Sequence, residues 1–123
     1  MNIGFKDNET RLEFPHIKKE LQFILLACGE YCREWGYDFV VTDLLSDAFS
    51  DAKLGRVSVS HQEGRAADVR NKNWPEDFNT QFIKWLESQY GKMGAISKTD
   101  GKRRIVVDHE GTARHLHIQI TRS

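Results

Sequence analysis

What this chain of 123 residues lacks narrows its chemistry first. It has two cysteines, two prolines and equal numbers of basic and acidic side chains, 18 Lys plus Arg against 18 Asp plus Glu. A net charge of zero provides no basic field to attract nucleic acid or an anionic membrane. Aromatic and basic residues are not clustered in the way a single-strand groove requires, so nucleic-acid binding is not expected. No apolar run approaches the length of a membrane span. The start, Met1-Asn2-Ile3-Gly4-Phe5-Lys6, lacks the basic and apolar segments of a secretory signal. The missing signal predicts a protein that is cytoplasmic as synthesised, and a monomer is expected. The length suits one domain over residues 1–123, with a core that does not depend on disulfides.

Cys28 and Cys32 are four residues apart, which stacks them on one face of a helix. With no second Cys or His pair to complete a zinc knuckle, they are read as two small buried apolar side chains and left out of any site.

Hydrophobic periodicity fills in the rest. Pro15 is suited to open a helix, and Ile17, Leu21, Ile24, Leu25, Cys28, Cys32 and Trp35 recur at helical spacing until Gly36. Asp38 to Asp43 reads as a buried strand and Leu44 to Gly55 as a polar connection. Val57 to Ser60 alternates as a strand leading into His61, with Ala66 to Val69 as the next. A second helix from Pro75 carries Phe78, Phe82, Ile83, Trp85, Leu86 and Tyr90, an aromatic stripe read as core, and ends at Gly91. Ala95 to Ser97, Arg103 to Val107 and His115 to Thr121 read as C-terminal strands, with a turn through Thr99-Asp100-Gly101-Lys102. The fold class predicted is α+β: a small, largely antiparallel sheet with helices packed on its other face.

Two short motifs carry chemistry. The first is His61-Gln-Glu-Gly64-Arg65-Ala66-Ala-Asp68, in which Gly64 permits a tight turn and Ala66 leaves room beside a crowded centre. The second is His115-Leu116-His117-Ile118-Gln119-Ile120, whose alternation on a strand puts both histidines and Gln119 on one face. His61, Asp68 and His117 make a two-histidine, one-carboxylate set suited to zinc. Three protein ligands leave a position open, the mark of a catalytic rather than a structural site, and the chemistry suggested is hydrolysis by a metal-activated water.

The pattern His61-x-x-Gly64-x-Ala66-x-Asp68 followed by His115-x-His117 resembles the zinc peptidases that include D-alanyl-D-alanine carboxypeptidases and the L-alanyl-D-glutamate peptidases of phage endolysins, which share a fold with the hedgehog signalling domain. The resemblance spans about Phe39 to Ser123. It implies a zinc site on the sheet held by His61, Asp68 and His117, and the peptidoglycan stem peptide as substrate. It also implies a route to the cell wall, through release at phage lysis, on a virion or by specialised export.

Three positions depart from the family pattern. Val59 stands where many relatives have a serine two places before the first ligand. Val41-Thr42-Asp43-Leu44-Leu45-Ser46 replaces an upstream segment whose arginine helps to hold substrate, which leaves Arg56, Arg65 and Arg114 as substitutes. Arg114 occupies the place of a catalytic glutamate three residues before the last ligand, and a guanidinium does not act as a base. The base is then sought first in Glu110, with Gly111 letting its loop fold back, and second in His115, which shares a strand face with His117. His109 is a minor candidate. Two rival readings remain: a non-catalytic zinc-containing binding or structural module of the same fold, and a metal-dependent hydrolase of another amide or ester.

Overall fold

The computed structural model of the chain describes residues 3–45, 63–96, 100–110 and 114–121. The helices are α1 (Asn8–Glu13), α2 (Lys19–Glu34) and α3 (Glu76–Tyr90). The strands are β1 (Gly4–Phe5), β2 (Val40–Asp43), β3 (Ala66–Arg70), β4 (Ala95–Ile96), β5 (Arg103–Arg104), β6 (Val106–His109) and β7 (His115–Gln119).

Among the described residues the fold is α+β, with three helices and a mixed five-stranded sheet in the order β1-β2-β3-β7-β6. Only the edge pair β1 and β2 is parallel; the other three pairs are antiparallel. β4 and β5 form a separate hairpin. No helix among the described residues is long and apolar enough to cross a membrane.

Alternation along the strands sorts the sheet into two faces. Val41, Ala67, Val69, Val106, Leu116 and Ile118 join one core with Leu21, Ile24, Leu25, Cys28 and Cys32 of α2 and Phe78, Phe82 and Leu86 of α3. Burying each large apolar side chain of this set contributes roughly 1.5–3 kcal/mol. Both cysteines lie in that core, and burial pushes their thiols up, Cys32 to about 12. On the opposite face, β3 presents Asp68 and Arg70, and β7 presents His115, His117 and Gln119.

The first long helix starts later than its proline predicts. Pro15 sits in a 3₁₀ turn, Phe14–His16, and α2 begins at Lys19. The break is held by the Gln22 side-chain amide, which donates to the carbonyl oxygen of Ile17 at 3.0 Å, and by the Lys18 backbone N–H, which donates to the Gly64 oxygen at 2.9 Å. Ile17 still enters the core from outside the helix, and Trp35 is exposed at its C-terminal end. α3 follows its periodicity from Glu76 to Tyr90. The strand expected over Val57 to Ser60, and most of the connection before it, lie outside the described residues.

Candidate functional site

Gly64 sets the approach to β3. Its φ is +70°, and a Cβ there would stand 3.1 Å from the Ile17 Cα, so the turn both needs a left-handed backbone and presses against the segment just before α2. Arg65 follows, buried, with Nε donating to Glu63 at 2.9 Å and Nη1 donating to the Ile120 carbonyl oxygen at 2.9 Å. The Ile120 N–H in turn donates to the Arg65 carbonyl oxygen at 2.9 Å. Arg65 thereby locks the start of β3 to the end of β7, and its guanidinium is engaged within the protein.

That lock fixes the register on which the site depends. Asp68 stands opposite His117 and Arg70 opposite His115 across the β3–β7 pair. Asp68 Oδ1 lies 3.0 Å from His117 Nδ1 and 3.9 Å from His115 Nε2. On its other side His117 Nε2 lies 3.1 Å from Gln119 Oε1. Across β6–β7, His109 stands opposite His115, with ring centroids 4.9 Å apart at an interplanar angle of 26°. The His109 and His117 rings are 5.9 Å apart, edge to face. Burial first, then the neighbouring His115 and His117, lowers the His109 pKa below the ordinary histidine value. Asp43, opposite Asp68 on β2, adds a second carboxylate position beside the group.

The surroundings of His117 bear on metal binding. Both of its ring nitrogens face oxygens that only accept, whereas a neutral imidazole has a single N–H to donate. A doubly protonated ring or a turned Gln119 amide resolves this without a metal. A cation shared by Nδ1 and Asp68 resolves it as well, and then leaves Nε2–H to donate to Gln119, the kind of outer partner that metal-bound histidines keep. Two donors about 2.0–2.1 Å from one tetrahedral zinc stand roughly 3.3 Å apart, close to the observed 3.0 Å. One carboxylate and one imidazole therefore fit zinc in kind and in spacing. Among the described residues no group of three His, Cys, Asp or Glu side chains is arranged to hold a metal, and the third expected ligand, His61, lies outside them.

Glu110 and Arg114 are placed elsewhere. Arg114 donates to both oxygens of Asp108, at 3.2 and 2.6 Å, and to both oxygens of Glu76 in the first turn of α3, at 2.9 and 3.1 Å. Asn71 and Asn79 donate to the same Asp108 carboxylate. Burial acts to raise the Asp108 pKa, but the hydrogen bonds from Arg114, Asn79 and Asn71 outweigh it and hold the carboxyl below its ordinary value. Such a lowered carboxyl stabilises the fold above about pH 4, and the contribution is lost as pH falls through the folded-state value. Glu110 is exposed, with a carboxylate oxygen 3.9 Å from Arg114, drawn toward this cluster. Of the two expected bases, only His115 is brought beside Asp68 and His117.

The stacking of His109 on His115 was not expected from the sequence, because it depends on the β6–β7 register. Sequence reasoning also passed over Arg70, although the two-residue step from Asp68 along a strand would have placed both on one face. Comparison with protein-family models, with curated proteins and with solved structures finds no match for the chain.

Proposed function

We propose that the chain is a zinc-dependent peptidase that cuts a peptide bond of the peptidoglycan stem, of the D-Ala-D-Ala or the L-Ala-D-Glu type. The observation that carries this reading is the placement of His117 between Asp68 and Gln119, on a strand whose motif resembles that of such peptidases. His61, Asp68 and His117 would hold the metal. Bound there, zinc supplies a Lewis acid that activates water and polarises a carbonyl.

The chain's own residues do the remaining work. Gln119 accepts from His117 Nε2 and so fixes the tautomer that leaves Nδ1 free to ligate. His115 takes the proton from the attacking water and returns it to the leaving amine, the role its place beside Asp68 suits. His109, stacked on His115, keeps that ring in position. Access to the wall comes from release at phage lysis or delivery on a virion. The direct test is digestion of purified peptidoglycan with and without a chelator, read by mass spectrometry. Stem-peptide cleavage that the chelator abolishes is the expected result, and chelator-resistant cleavage overturns the metal reading.

For the base, His115→Ala is expected to keep zinc and fold while slowing turnover by roughly 10²- to 10⁴-fold. Glu110→Gln should remain near the wild-type rate. The reverse ranking in steady-state kinetics would return the role to Glu110. One observation favours a non-catalytic zinc module instead: Glu110, the first candidate for the base, lies toward Arg114. That reading becomes the better one if zinc-loaded wild type cuts no muropeptide.

A further inference from the structure

The site face carries one more charged group with no role assigned so far. Arg70 ends β3, two residues beyond Asp68 and opposite His115 in the register. Val69 is buried in the core between them, so Asp68 and Arg70 share the other face, about 7 Å apart along the strand. Arg70 is half-buried. Among the described residues it has no hydrogen-bond or ion-pair partner, whereas Arg65 and Arg114 are both committed to oxygens of the protein. It borders a recess of about 190 Å³ with Tyr37, Val40, Asn73 and Trp74; Asp38 lines the same recess but makes no ion pair with it. A planar guanidinium, partly desolvated and without a carboxylate of its own, is a ready partner for a substrate carboxylate.

The two candidate bonds share the feature that such a group would read. In D-Ala-D-Ala the residue that supplies the leaving nitrogen carries a free α-carboxylate. The same holds for L-Ala-D-Glu when the glutamate continues the stem through its side chain. In each case the anion lies three bonds beyond the carbonyl carbon under attack, about 3–4 Å away. With that carbonyl at the Asp68 and His117 pair and the leaving nitrogen at His115, which stands opposite Arg70, the leaving residue would lie toward Arg70 and its recess.

We propose that Arg70 is the substrate-positioning residue that binds the α-carboxylate of the D-residue on the leaving side, and that the recess beside it receives that residue. This rests on the peptidase reading above for the placement of the scissile bond, but it assigns the residue that selects the substrate.

The test pairs each substrate with its amide. Zinc-loaded wild type, Arg70→Gln and Arg70→Lys are compared on an acyl-Lys-D-Ala-D-Ala peptide and an L-Ala-γ-D-Glu peptide, each with the α-carboxylate free or amidated. Cleavage and calorimetric binding are both measured, and circular dichroism confirms folding. A charge-assisted pair should make wild type roughly 10- to 100-fold worse on the amide. Arg70→Gln should lose the same factor on the free acid and be indifferent to amidation. Arg70→Lys, which keeps the charge but loses the planar fork, should fall between them. If wild type cleaves but Arg70→Gln discriminates acid from amide as wild type does, Arg70 is not the anchor and the peptidase reading stands. Acid-selective binding that Arg70→Gln removes, in a protein that cuts nothing, keeps the Arg70 site and sinks the peptidase. Neither binding nor cleavage overturns both.

Discussion

Purified Asp68→Ala and His117→Ala should each come out folded, free of zinc and unable to cut peptidoglycan above background, while wild type carries about one zinc per chain as an open three-ligand site requires. Both side chains reach the proposed metal position from adjacent strands, at a separation close to that of two donors on one ion. Removing either leaves one donor of this pair beside His61, one short of the three-ligand set proposed. His61→Ala should behave in the same way if the first motif supplies the third ligand. Metal analysis by mass spectrometry decides the matter, and full occupancy in all three variants would sink the assignment. A stability loss of about 1–3 kcal/mol is also expected for Asp68→Ala, because it strips a partner from His117. Urea unfolding of the metal-free proteins separates that cost from the loss of zinc.

The largest effect on stability should come from Phe82→Ala. Phe82 is fully buried on α3, and its ring lies within 6.4 Å, centroid to centroid, of Tyr31, Phe39, Trp74, Phe78 and Trp85. These neighbours come from α2, the approach to β2, the loop after β3 and α3 itself, so the ring joins elements remote in sequence. A rigid aromatic surround collapses poorly onto a cavity, and the expected cost is about 3–5 kcal/mol. A fall in Tm on the order of 10 °C or more follows for a domain of this size. Phe82→Leu, which refills much of the volume, should lose distinctly less. Similar denaturation midpoints for the two variants and wild type would show that this cluster does not hold the fold together.

The long elements were legible because their periodicity is strong. α3 runs almost as its apolar spacing dictates, and β7 alternates as His115-Leu116-His117-Ile118-Gln119 requires, with Leu116 and Ile118 buried. β1 and α1 were not read. Their signal is short: a two-residue strand, and six helical residues capped by Asp7, whose carboxylate accepts from the Thr10 N–H at 2.8 Å. The parallel pairing of β1 with β2 is a tertiary fact that no local pattern announces.

Of the candidate site, the placement of Asp68 opposite His117 on neighbouring strands is in keeping with the motif spacing, while the arrangement around them was less legible. Asp68 and His117 could be named from motif spacing, but the stacking of His109 on His115 follows from pairing across β6 and β7. Glu110 could be named as an acid near the last expected ligand, yet its carboxylate lies toward Arg114, which bridges β6 to the first turn of α3. Spacing in the chain does not reveal which side of a sheet such a bridge will occupy.

The pairing of β3 with β7 has a kinetic consequence. Asp68 and His117 are separated by 49 positions along the chain, so their meeting closes a long loop and belongs to the slow, high-contact-order part of folding. β6 and β7 are near neighbours in sequence and form their hairpin at little entropic cost, which leaves β7 waiting for β3 as its far partner. Metal capture during refolding would then report the completion of the central sheet rather than its initiation. Zinc would stabilise the finished protein mainly by slowing its unfolding, with little effect on the rate at which the chain first collapses.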